Sequence, residues 1–131
     1  MNIEQIRKKI IMKEDNITYK KAYVFAIEIV NACKNLTQDK KEYVLSKQLL
    51  RSGTSIGANI AEANGGISNA DFSAKISIAY KEALETKYWL SLLKDTGYIE
   101  ENKYEILFEQ TDELCKILFS ILKKTRIHNN K

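Results

Sequence analysis

Arg51, Asn59, Glu62 and Glu85 are the polar residues whose types and spacing could do chemistry. Asn59 and Glu62 stand three apart on one helix face, and Arg51 lies two turns before Asn59. One reading is a hydrogen-bond network that fixes helix register, since buried polar groups need partners. A second has Arg51 receiving an RNA phosphate, with Asn59 and Glu62 orienting it. A third is a salt bridge between subunits.

Acid–base, thiol and metal chemistry lack their parts. The single histidine is His128, so the paired Glu-x-x-His motifs of a di-iron bundle cannot be assembled. Helical ribonucleases set an arginine and a histidine about four to six residues apart on one helix for proton transfer. Arg126-Ile127-His128 is too close and too near the chain end for that. Cys33 and Cys115 are far apart, each among apolar neighbours, with no zinc spacing, and read as buried reduced thiols. Gly65-Gly66 has no following lysine and no preceding strand, so it is not a phosphate loop. The expectation is a protein that is not an enzyme and holds neither cofactor nor metal.

Charge is the remaining resource. The 131 residues carry 21 Lys and Arg against 17 Asp and Glu, a net +4. Residues 1–51 hold eleven basic and six acidic side chains, 52–115 five and eleven, and 116–131 five and none. A basic surface is expected where Arg7, Lys8, Lys9 and Lys13 meet Lys123, Lys124, Arg126 and Lys131. Such a surface attracts phosphate backbones without reading sequence. Part of the pattern merely complements helix dipoles. Trp89, with Tyr88 and Tyr80, could stack bases, though aromatics at helical spacing more often pack.

The elements that must position these residues are helices. There is no proline and there are only five glycines, so the chain has few breakers. Residues 1–15 form a charged leader, flexible or a short amphipathic helix on Ile3, Ile6 and Ile10. A first helix over about 18–35 carries Ala22, Ala26, Ile29, Cys33 and Leu36. Asn35-Leu36-Thr37 reads as a break with Thr37 as the next N-cap.

A second helix over about 39–63 follows, unusually small at Gly53 and Gly57, which implies tight packing or a kink. Asn64-Gly65-Gly66 ends it, glycine supplying a left-handed cap. A third, capped by Ser68, runs to about Asp95 on Phe72, Ile76, Ala79, Ala83, Thr86, Leu90 and Leu93, and Gly97 stops it. A fourth, capped by Asn102, runs to about Arg126. It carries two apolar rows: Leu107, Thr111, Leu114, Leu118 and Ile121, and beside them Tyr104, Phe108, Cys115, Phe119 and Leu122. The second row exceeds what one bundle face needs and reads as an oligomer interface. Short connections make the whole an all-α, antiparallel up-and-down four-helix bundle over 16–127, with a tail at 128–131. No stretch is apolar enough to span a membrane and no signal peptide is seen, so a cytoplasmic protein is expected.

The segment Leu49-Leu50-Arg51-Ser52-Gly53-Thr54-Ser55-Ile56-Gly57-Ala58-Asn59-Ile60-Ala61-Glu62-Ala63 resembles the signature of the bacterial four-helix bundle proteins related to those encoded in 23S rRNA intervening sequences. The family pattern falls on Arg51, Ser55, Ile56, Asn59, Ile60, Ala61 and Glu62. A second family segment matches Phe72, Ile78, Ala79, Glu85, Gly97 and Tyr98, and the resemblance covers roughly 17–122. Relatives often have proline at Gly57 and glycine at Ala63, and the leader lies outside the pattern. The resemblance implies a bundle assembled into homopentameric rings and associated with ribosomal RNA genes. Related accessory proteins of diversity-generating retroelements are basic pentamers that bind nucleic acid and a reverse transcriptase. The expected function is therefore a non-enzymatic oligomeric bundle that binds RNA or DNA through a basic surface. The alternative is a protein–protein adaptor without nucleic-acid contact.

Overall fold

The computed structural model describes residues 2–129, and the side chains of all of these except 4, 7–16 and 126–129. Among the described residues there are four helices and no strand: α1 (Ile3–Gln38), α2 (Leu45–Asn64), α3 (Asn69–Asp95) and α4 (Glu101–Asn129). The connections, 39–44, 65–68 and 96–100, are too short for anything but antiparallel neighbours. α2 packs on α1 and α3, and α3 on α4. The seam between α1 and α4 is the thinnest.

The core follows the expected stripes of α3 and α4, and in α1 Phe25 stands in it where Ala26 was expected, Ala26 being only partly buried. Ala22, Phe25, Ile29, Cys33 and Leu36 of α1 meet Leu49, Ile56, Ile60 and Ala63 of α2. Ile76, Ala79, Ala83, Thr86, Leu90 and Leu93 of α3 are all buried, with Phe72 packed at the edge. The α4 row Leu107, Thr111, Leu114, Leu118 and Ile121 closes the core.

Five expectations need correction. The leader has no boundary at 15, because α1 runs unbroken from Ile3, where Asn2 and Gln5 form a reciprocal cap. Nor does α1 break at 35–37. Leu36 is buried in the core stripe, and Thr37 Oγ1 donates to the Cys33 and Lys34 carbonyls inside the helix instead of capping the next.

α2 accordingly begins at Leu45, not near Asp39. The chain reverses through Lys41 in the left-handed region (φ 56°). The Glu42 carboxylate then accepts from the backbone N–H groups of Val44, Leu45 and Ser46 at 3.2, 2.9 and 2.7 Å. Ser46 Oγ returns a bond to the Glu42 carbonyl at 2.8 Å. Burial raises the Glu42 pKa, but these backbone bonds more than offset it, leaving the carboxyl below its usual range.

The end of α2 differs as well. Gly65 has φ −92°, and the helix tightens through Gly65 N–H to Glu62 O and Gly66 N–H to Ala63 O. The left-handed cap occurs instead at Gly97 (φ 85°), where Tyr98 N–H bonds back to Leu93 O at 2.8 Å and ends α3. Ser68 caps α3 as expected, accepting from Asp71 N–H at 3.1 Å. α4 starts at Glu101, one residue before Asn102, so Asn102 lies within its first turn.

The small segment of α2 is a tight contact. A Cβ built on Gly53 would stand 2.9 Å from both Cγ1 and Cγ2 of Ile29, whereas one on Gly57 would meet Ala22 at an ordinary 3.6 Å.

Candidate functional site

Polar side chains of α2 reach across to α3. Arg51, half exposed, donates through Nη1 to Glu82 Oε2 at 3.2 Å and through Nη2 to Glu85. The hydrogen bond to Glu85 makes the guanidinium hold its proton more firmly than usual. Glu82 shifts upward because it is partly buried, against the lowering effect of Arg51. Further along the same seam Ser52 and Thr86 hydroxyls bond at 3.0 Å in the core, and Glu62 pairs with Lys75 at 2.7 Å. Ser55 Oγ donates to the Arg51 carbonyl, and Asn59 Nδ2 to the Ser55 carbonyl at 2.8 Å.

Arg51, Glu62 and Glu85 therefore belong to a ladder of pairs between α2 and α3, whereas Ser55 and Asn59 bond to carbonyls of α2 itself. Arg51 faces two carboxylates, so a phosphate would have to displace them. The arrangement favours the register-fixing reading over the phosphate one. Glu82 completes the ladder and has no signal in the sequence, because only the cross-helix register brings it to Arg51.

The second candidate is the basic end. The Lys21–Glu113 pair ties α1 antiparallel to α4, so the N-terminal segment of α1 and the C-terminal segment of α4 lie towards the same end. Lys123 is exposed, with Nζ 5.2 Å from the Phe119 ring centroid, and Lys124 is exposed beside it. Arg7, Lys8, Lys9, Lys13 and Arg126 have side chains outside the described residues, and Lys131 lies outside them altogether. His128 falls outside the described side chains too.

Aromatic residues divide by exposure. Trp89 is half-buried, with Tyr88 edge-on at 5.0 Å between centroids, and Tyr80 packs on Phe119 at 5.9 Å. Tyr88 alone of these presents an open ring face, at 60% exposure.

The second apolar row of α4 is mostly taken up within the chain. Cys115 and Leu122 join the core, Tyr104 and Phe108 pack on each other at 5.2 Å, and Tyr104 OH reaches Ser91 Oγ at 3.2 Å. Lys94 and Lys87 lie over the Tyr104 and Phe108 rings. Phe119 remains exposed. The row is largely the α3–α4 interface, and the excess read from sequence is small.

Neither cysteine is poised to react. Burial pushes the Cys33 thiol up to about 11 and raises Cys115 as well, so little thiolate forms near neutrality. Among the described residues no group of three or more His, Cys, Asp or Glu could hold a metal ion. No described helix is long and apolar enough to cross a membrane.

Comparison with known proteins bears on this geometry. The family model described as "23S rRNA-intervening sequence protein" matches residues 14–120. A crystal structure of a protein from the S23 ribosomal protein family of Bacteroides thetaiotaomicron VPI-5482 superposes with a TM-score of 0.83. It is 52% identical, covering 84% of this chain and 98% of that one. No curated protein matches.

Proposed function

The chain belongs to the 23S rRNA-intervening sequence protein family, and from that premise we propose that it is a non-enzymatic, oligomeric, cytoplasmic protein that holds RNA or DNA on a basic end. The observation that carries the reading is the antiparallel run of α1 and α4. It turns the helix ends that carry the basic run beginning at Arg7 and the acid-free stretch from Lys116 to the end of α4 towards one end of the bundle. The contact is with phosphate backbones, so it recognises charge rather than sequence. A homopentameric ring, as the family resemblance implies, would multiply the +4 of each copy. The α2–α3 ladder serves the scaffold.

Titrating the protein against structured 23S rRNA fragments and duplex DNA at ~50 and ~200 mM salt tests this. Phosphate-driven binding loses orders of magnitude in affinity over that range. No binding at ~50 mM salt would favour the adaptor reading, in which the bundle presents a surface to another protein.

A further inference from the structure

α1 and α2 share an outer face on which aromatic rings stand open beside unpaired lysines. Tyr19 and Tyr23, one turn apart on α1, stack with 6.1 Å between ring centroids and 29° between planes. Tyr23 is still 57% exposed and Tyr19 36%. The close pairs Ile29–Gly53 and Ala22–Gly57, with Cys33 Sγ on the Ser46 carbonyl, fix the register of the two helices. Continued along the seam, that register sets Tyr19 and Tyr23 level with Ala61 and Ala58, both exposed. α2 therefore offers only methyl groups opposite the rings. Towards the turn at 39–44 the face passes over Ala26, Val30 and Leu50 and reaches Lys34 and Lys47. The same register places these two lysines level with each other, about 22 Å along α1 from Tyr19.

Charge on this face has one sign. From residue 17 to its end α1 has a single acid, Glu28, and α2 has a single acid, Glu62. Glu28 lies two turns beyond Lys21, on the flank that Lys21 shares with Glu113 of α4, and about 140° around the helix from Tyr23. Glu62 is held by Lys75 of α3. In the turn beyond, Asp39 is engaged by Asn35, and Glu42 by three backbone N–H groups. Lys34, Lys47 and, one turn before Tyr23, Lys20 are exposed and form no ion pair among the described residues.

We propose that this face binds a single-stranded stretch of nucleic acid, with a base stacked on Tyr23 and phosphates drawn to Lys34 and Lys47. Every base has a π-face, so an open tyrosine ring takes any of them, and lysines without nearby acids follow the backbone. A duplex keeps its bases stacked inside and cannot use the ring, whereas an unpaired loop or end can splay a base onto it. The site rests on the reading of nucleic acid as the ligand, but it is separate from the basic end, so the two can fail apart.

Titrating the full chain with a short labelled single-stranded RNA, and with the same sequence paired as a duplex, tests this. The wild type is expected to hold the single strand more tightly. Tyr23→Ala should weaken single-strand binding about tenfold, leave duplex binding within about twofold, and keep the helical circular dichroism signal. Tyr23→Phe, which retains the ring, should bind as wild type. Lys34→Gln with Lys47→Gln should make the single-strand salt slope shallower by about 1.4. Unchanged single-strand affinity in Tyr23→Ala, an unchanged slope in the lysine variant, or a loss shared equally by single strand and duplex would overturn the proposal and leave the basic end standing. A lower light-scattering mass for Tyr23→Ala would also overturn it, by making the face a contact between copies. No binding of either probe would overturn both readings.

Discussion

Gly53 of α2 faces Ile29 of α1 so closely that a Cβ would stand 2.9 Å from both branches of the isoleucine. Ile29 is fully buried and β-branched, so it has no free rotamer into which to retreat. Gly53→Ala is expected to destabilise by about 1–3 kcal/mol despite the better helix propensity of alanine. Gly57→Ala, whose Cβ meets Ala22 at 3.6 Å, should be neutral or stabilising by up to ~1 kcal/mol. Chemical denaturation of the two variants checks the contrast, and equal costs would contradict it.

Glu42 sets the acid sensitivity of the α1–α2 turn. Its folded-state pKa is depressed, so its contribution is present above the unfolded glutamate value of ~4.3 and is lost as pH falls through the lower folded value. Glu42→Gln should cost about 1 kcal/mol at neutral pH and flatten the loss of stability on acidification below ~pH 4.5. Stability measured between neutral and acid pH for both proteins decides it. Parallel curves would mean the three backbone bonds do not depend on the charge.

Arg51 separates scaffold from site. It is half exposed, so its pairs with Glu82 and Glu85 are screened and Arg51→Gln should cost no more than ~1 kcal/mol. RNA affinity should stay within about twofold of wild type, since those carboxylates already occupy the guanidinium. A drop of tenfold or more would transfer the phosphate contact to α2.

The core stripes of α1, α3 and α4 were legible because each repeats apolar residues at helical spacing and buries what it shows. The turn at 39–44 was not. Its cap comes from Glu42 through a left-handed Lys41, neither of which has a strong sequence signal, while Thr37 and Asp39 look like a cap and sit in or beside α1. Gly65-Gly66 misled in the same way: glycine permits a left-handed cap, but here close approach decides, since a Cβ on Gly66 would meet Ala63 O at 3.0 Å. In the ladder, Arg51 and Glu85 were singled out from sequence, yet Glu82 and Lys75 become visible only when α2 and α3 are set side by side. The basic clusters at Arg7–Lys13 and after Lys116 are plain in the sequence, whereas the antiparallel α1–α4 pairing that points their two helix ends the same way comes from the fold.

The central claim is that the basic end holds nucleic acid, and Lys123→Glu with Lys124→Glu tests it most directly. Wild type and variant are titrated against the same 23S rRNA fragment across ~50 to ~200 mM salt, with Arg51→Gln as a folded control. The account predicts weaker binding by the double variant and a salt slope shallower by about 1.4–1.8, two phosphate contacts' worth, with the control near wild type. An unchanged affinity and slope in the double variant would remove these lysines from the contact and contradict the account.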